Sequence, residues 1–118
     1  MTQMDTQDSI TAQEPPYLYI TTTGWKSGQP HEIEIWFVEY EGRYYLCSGG
    51  RYKAHWVQNV QRHPEVVFKI GDKNAPTRAG RGRVVPELET ELVDAVKSRF
   101  DAKYQWSDGM LVEITPMQ

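Results

Sequence analysis

The chain has 118 residues, 39% hydrophobic and 25% charged, which suits one domain with its own core and excludes two separate lobes. Mean hydropathy is −0.64, and no apolar run reaches the roughly 20 residues a membrane helix needs, so a spanning helix is excluded. Its one cysteine, Cys47, excludes an internal disulfide framework and a cysteine-based zinc site. A reducing, cytoplasmic setting fits that cysteine usage, and no basic-then-apolar leader pattern opens the chain. Net charge is −3 but uneven. Residues 1–50 carry 2 basic and 7 acidic groups, 51–83 carry 8 and 2, and 84–118 carry 3 and 7. A basic block inside an acidic protein suits a discrete anionic ligand better than nucleic acid at large, or is a solvated face. Aromatics make up 12% of the chain, with seven Tyr and four Trp, enough to build a core and also to stack on planar ligands.

Residues 1–15 are polar and aperiodic and lead into Pro15-Pro16, the pattern of a flexible tail; 16–118 then form a single domain. Tyr17 to Thr23 is rich in aromatic and β-branched residues and predicts a strand. Gly24 to Pro30 is a turn. From Glu32 to Val38 the pattern alternates, with Ile33, Ile35 and Phe37 on one face and Glu32, Glu34 and Trp36 on the other, as in a half-buried strand. Glu41-Gly42 turns into a returning strand, Arg43 to Ser48, and such short connections make the meander antiparallel. Gly49-Gly50 breaks that strand, and Lys53 to Gln61 reads as a helix ended by His63-Pro64. Glu65 to Ile70 and Ala79 to Val85 are further strands; Gly80 and Gly82 mark a bulge or a tight corner in the second. A helix opening at Pro86 carries Leu88, Leu92, Val96 and Phe100 on one stripe, with acids in its first turns. Asp108-Gly109 turns into a last strand from Met110 to Thr115. The order is mainly β, an antiparallel closed or split barrel with two helices.

Two segments hold chemistry-bearing residues. The turn Gly24-Trp25-Lys26-Ser27-Gly28-Gln29-Pro30-His31 combines exposed backbone N–H groups, a cation, a hydroxyl and an imidazole. Those are parts of a phosphate cradle, although the same residues also make an ordinary hairpin loop with a solvated lysine. Its spacing is not that of a Walker loop. The second is Ser48-Gly49-Gly50 followed by Arg51, Lys53, His55, Trp56 and Asn59, where glycines admit close approach and a helix N-terminus faces an anion. Trp56 stacks on a ligand or packs in the core, and Asn59 contacts a ligand or caps the helix. The histidines at 31, 55 and 63 lack metal-ligand spacing, so no metal site is expected. Cys47 reads as inert packing in an apolar strand.

These residues carry a resemblance. Thr21-Thr22-Thr23-Gly24-Trp25-Lys26-Ser27-Gly28 before an alternating strand, then Ser48-Gly49-Gly50, Trp56, Asn59 and Pro64-Glu65-Val66, resemble the two signatures of the deazaflavin-dependent nitroreductase and quinone reductase family. The match runs from about Tyr17 to Gly71 and more weakly through Lys103-Tyr104 and Trp106. It implies a split β-barrel of the FMN-binding, flavin-reductase type and a reduced deazaflavin coenzyme, F-420. By motif position, Lys26 and Ser27 would hold the coenzyme phosphate, Ser48 to Gly50 would line the ring, and Lys53 would face the anionic tail. Trp25, Gly28, His31, Glu34, Ile35 and Trp36 complete the implied coenzyme-binding set, with Trp56 and Asn59 fixing the helix that closes the site.

The resulting expectation is an oxidoreductase that passes hydride from the deazaflavin to a planar acceptor, a quinone or a nitroaromatic, with Ser48 or Tyr104 as proton donor. Trp25, Trp36, Trp56 and Trp106 would build the aromatic pocket. An FMN enzyme of the pyridoxamine-phosphate-oxidase type would use the same turn. A haem carrier with an axial histidine is the non-catalytic alternative, and negative net charge argues against a nucleic-acid-binding barrel. A homodimer is expected, because a split barrel on a short chain leaves apolar faces to cover.

Overall fold

The computed structural model describes residues 14–117, so most of the expected N-terminal tail lies outside the described residues. Seven strands form one antiparallel sheet. They are β1 (Tyr17–Thr23), β2 (Pro30–Trp36), β3 (Val38–Tyr40), β4 (Arg43–Ser48), β5 (Glu65–Ile70), β6 (Arg78–Val84) and β7 (Met110–Pro116). Helix α1 (His55–Arg62) follows a single 3₁₀ turn at Arg51–Lys53, and α2 (Thr90–Tyr104) precedes β7.

The spatial order is β2-β1-β5-β6-β7-β4-β3. The two edge strands, β2 and β3, are therefore consecutive in the chain and joined at Phe37 alone. That joint curls the sheet into a barrel with one seam. The alternating run expected as a single strand from Glu32 to Val38 is in fact two strands. Its first part pairs with β1 (Ile33 opposite Ile20) and its second with β4 (Val38 opposite Tyr45). One straight strand cannot pair with both, because β1 and β4 lie on opposite sides of the seam, so the chain bends at Phe37. At the far end of β3, Glu41 and Gly42 both take positive φ (51° and 79°), the tight two-residue hairpin whose twist matches the strands.

Alternation sorts β4 onto two cores. Tyr44 and Leu46 point into the barrel with Leu18, Ile20, Phe68, Val112 and Ile114. Tyr45 and Cys47 point outward, under α2, where they meet Val96, Phe100 and Leu111. Each fully buried Val or Phe contributes about 1.5–3 kcal/mol, so both cores are needed to hold a chain this short. The Cys47 thiol is buried, and burial pushes it up to about 11, in keeping with inert packing.

The helix expected from Pro86 starts at Thr90 instead. Residues 86–89 form a turn closed by the Glu89 N–H on the Pro86 carbonyl, and Leu88 is 92% exposed. Glu89 caps the helix, its carbonyl accepting the Val93 N–H at 2.9 Å while its carboxylate accepts two bonds from Arg83, at 2.8 and 2.9 Å. Gly80 and Gly82 sit in an unbroken β6–β7 register, so neither marks a bulge. A Cβ at Gly80 would come 2.6 Å from Ile114, and one at Gly82 2.8 Å from Val60 of α1. The glycines make room for Val60 of the helix and for the Ile114 side chain of the neighbouring strand β7 to pack directly on β6.

Candidate functional site

The β1–β2 turn and α1 are stitched together by two side-chain amides, one buried and one partly exposed. Asn59, 5% exposed, accepts the Trp25 backbone N–H at 3.0 Å and donates to the Thr22 hydroxyl at 3.1 Å. Gln58 accepts the Trp25 indole N–H at 3.2 Å and donates to the Tyr52 carbonyl at 2.8 Å. Asn59 thus belongs to the scaffold of the site. The turn itself closes through Gly28 N–H on the Gly24 carbonyl (2.7 Å) and Gly24 N–H on the Gln29 carbonyl (2.8 Å), with Gly28 at φ 73°.

Between the turn, β2, the 3₁₀ turn and α1 lies a cleft of about 610 Å³. It is lined by Thr22, Gly24, Trp25, Lys26, Ser27, His31, Ile33, Lys53, His55, Trp56, Gln58 and Asn59. Among the described residues, two ammonium groups and two imidazoles line it, and no carboxylate does. The Ser27 hydroxyl accepts the Gln29 N–H at 3.1 Å, which leaves its own proton to donate. Gly24 needs to be glycine here: a Cβ would come 2.5 Å from Ser27 Oγ and 3.0 Å from His31 Nε2. Trp25 is flanked by the cations of Lys26 and Arg62, 5.0 and 4.7 Å from its ring centre. The volume falls in the ~300–1,000 Å³ range of small-molecule sites, and the donor set fits a phosphorylated planar coenzyme.

Of the residues expected at the coenzyme, the structure brings Trp25, Lys26, Ser27, His31, Lys53, Trp56 and Asn59 to this cleft. Gly28 lies in the same turn, behind its lining. Ile35 packs on the barrel core, two residues along the face of Ile33. Glu34 and Trp36 take the opposite face. Glu34 accepts the Tyr19 hydroxyl at 2.9 Å, and its neighbour Glu32 pairs with Lys69 at 3.2 Å, so this carboxylate face looks away from the cleft. Ser48 is buried and donates to the Arg51 carbonyl at 3.2 Å, and Gly49 and Gly50 turn the chain toward α1. Thr22, Gly24, Ile33, His55 and Gln58 complete the lining without having been singled out as coenzyme contacts. Gln58 and His55 had a usable signal in their positions on the helix that carries Trp56 and Asn59.

The four tryptophans form two groups, not one pocket. Trp25 and Trp56 line the cleft. Trp36 stacks on Tyr104 (ring centres 4.4 Å apart, planes 6° apart) and meets Trp106 edge-on at 6.3 Å. Trp36 lies five residues along β2 from His31, about 16 Å at the rise of a strand. The Tyr104 hydroxyl accepts the Phe37 N–H at 3.0 Å and shares its proton between the carbonyls of Pro16 (2.6 Å) and Phe37 (2.9 Å). Burial pushes its pKa up to about 12, so the phenol stays protonated.

A curled antiparallel seven-stranded sheet with a seam, two helices and a lysine- and histidine-lined cleft against the edge strand β2 defines a split β-barrel of the flavin-reductase type. The structure resembles an F420-H2 dependent reductase, FDR-A, at 26% identity over 86% of this chain and 95% of that one, with a TM-score of 0.56. It also resembles the heme storage protein HutZ from Vibrio cholerae, at 21% identity, 97% and 90% coverage and a TM-score of 0.66. A candidate pyridoxamine 5'-phosphate oxidase from Listeria innocua matches at 17% identity, 97% and 93% coverage and a TM-score of 0.63. The last two likenesses concern the fold. No curated protein matches the chain. The family model described as F420H(2)-dependent quinone reductase matches residues 2–109, and the chain belongs to that family. It is an oxidoreductase of the deazaflavin- or flavin-dependent kind. Among the described residues no helix is long and apolar enough to cross a membrane.

Proposed function

We propose that the protein binds the reduced deazaflavin coenzyme F-420 in the cleft beside α1 and delivers its hydride to a planar acceptor, a quinone or a nitroaromatic. The observation that carries this reading is the absence of any carboxylate among the lining residues, against two lysines and two histidines. Elsewhere, acids pair with bases: Glu32 with Lys69 and Lys73, Glu89 and Glu113 with Arg83. Cations left without such partners are set to receive an anionic ligand.

In this reading Lys26, the Ser27 hydroxyl and the Gly28 turn hold the coenzyme phosphate, with Lys53 adding positive charge and the His31 imidazole a further polar contact. Ile33 and Trp56 give the ring apolar walls, and Ser48 to Gly50 bound it on the seam side. Asn59 and Gln58 keep the turn and helix in register. When bound, the coenzyme supplies the hydride. Ser48 and Tyr104 act by tying down backbone carbonyls, not as the expected proton donors, because each hydroxyl proton is engaged. The acceptor approaches along the open side of the cleft. We further propose one domain from 16 to 118, a homodimer, because a split barrel on a short chain leaves apolar faces to cover, and a cytoplasmic location, which suits the single unpaired cysteine.

Equilibrium titration with the deazaflavin and with FMN tests the coenzyme. Tighter binding of FMN would replace the deazaflavin with the second reading, an FMN enzyme built on the same phosphate turn. Turnover of a quinone by the reduced deazaflavin above the uncatalysed rate tests the reaction, and its absence would sink it. A haem spectrum surviving substitution of each of His31, His55 and His63 by Ala would remove the reading of a haem carrier with an axial histidine.

A further inference from the structure

Phe37 belongs to neither edge strand, so its N–H and C=O have no partner in the sheet, and both must be satisfied otherwise. Two consecutive residues at the end of α2 do this. Tyr104 takes the N–H, and the ammonium of Lys103 donates to the Phe37 carbonyl at 2.8 Å. Lys103 has three N–H groups and finds three oxygens. The other two are the Pro15 carbonyl and the Glu14 carboxylate, both at 2.7 Å. Its side chain is only 12% exposed, and the ammonium lies 4.1 Å from the centre of the Phe37 ring. Pro15 in turn sits where a Cβ on Gly71, just past β5, would be 3.0 Å away. A single cation thus ties the N-terminal segment, the end of α2 and the sheet's one seam together.

The mechanical consequence falls on β2. It is an edge strand, paired on one side only, with β1. One end is fixed by the Gly24–Pro30 turn and the other by the Phe37 joint, and between them His31 and Ile33 form a wall of the cleft. We propose that Lys103 is a positioning residue: by holding the Phe37 joint it fixes the angle of β2, and with it the width of the cleft. This rests on the reading of that cleft as the coenzyme site.

The test compares Lys103→Met, Glu14→Ala and, as a control for general destabilisation, Tyr45→Phe under the other core. Amide hydrogen exchange without ligand reads β2 directly. Lys103→Met is expected to speed exchange across residues 30–36 by about tenfold or more while residues 55–62 keep wild-type rates, and Glu14→Ala to do so more weakly. Affinities for the deazaflavin and for inorganic phosphate, each by titration, are expected to fall about tenfold in Lys103→Met, with turnover at saturating coenzyme changed far less. If exchange in β2 rises no more than in Tyr45→Phe, or rises with both affinities unchanged, the proposal is overturned. Should Lys103→Met fail to fold, Glu14→Ala carries the same two readouts. If wild-type protein binds phosphate but not the deazaflavin, the coenzyme reading falls, while exchange and phosphate affinity still decide the role of Lys103.

Discussion

The cleft and the outer face under α2 are both rich in charge, yet they are wired in opposite ways. On the outer face Glu113, with its side chain 4% exposed, accepts Arg83 at 2.8 Å and the Tyr45 hydroxyl at 2.7 Å, and Arg43 stands 3.8 Å away. Arg83 also bridges to Glu89. In the cleft, Lys26, Lys53, His31 and His55 face one another across open space with no acid among the lining residues. Charges that complete one another hold a fold, whereas like charges gathered around a cavity cost stability and are useful only to a ligand.

That contrast can be broken from either side. The largest expected effect is Glu113→Ala, which strands two arginines and a buried phenol. A loss of about 3 kcal/mol is expected, below the extreme for buried pairs because Arg83 and Arg43 are 43% and 51% exposed and can rehydrate. Thermal melting should show it as a fall of about 10 °C. Acid unfolding sharpens the same point. Burial alone would push the Glu113 carboxyl up, but hydrogen bonds from Arg83 and Tyr45 outweigh burial and hold it below its ordinary 4.5. Its contribution is therefore complete above about 4.5 and is lost as pH falls through the lower folded value. Glu113→Gln should flatten the acid limb of the stability profile in that window.

Lys26→Glu comes next, and its effect belongs to binding. Affinity for the coenzyme or for phosphate should fall about 30-fold or more, roughly 2 kcal/mol, while the melting temperature stays within about 2 °C of wild type. A large stability loss instead would mean that the cleft's cations serve the fold, and the contrast would collapse. Tyr45→Phe removes one donor from Glu113 and should cost about 1 kcal/mol in a denaturant titration, with unchanged phosphate affinity. The smallest change is Leu88→Ala. At 92% exposure that side chain lies outside α2, and a shift beyond about 0.5 kcal/mol would contradict its placement.

How much of this was legible beforehand differs by element. β1, β4 and β5 run over the residues their composition predicts, because branched and aromatic side chains in short runs between turn residues leave little choice. Period two was also enough to put Glu34 on the face away from Ile33, a pattern that the family resemblance overrode when Glu34 was placed at the coenzyme. Leu88 misled for a different reason. Four-residue spacing is shared by a helix and by a turn that happens to precede one, and here Pro86 to Glu89 close a turn of their own before the helix begins.

Local sequence accounted for most of the strands, both helices, the antiparallel order and the Gly24–His31 turn that lines one wall of the cleft. These follow from local propensity, periodicity and composition, which act over a few residues. Only the tertiary structure decided that one alternating run serves both edges of the sheet and that the four tryptophans fall into two groups. It alone decided that Tyr104 and Lys103 bind backbone at Phe37, more than 60 residues away in the chain. Curling the sheet brings residues together by closure of the barrel, and no local pattern encodes which side chain will meet an unpaired carbonyl at its seam.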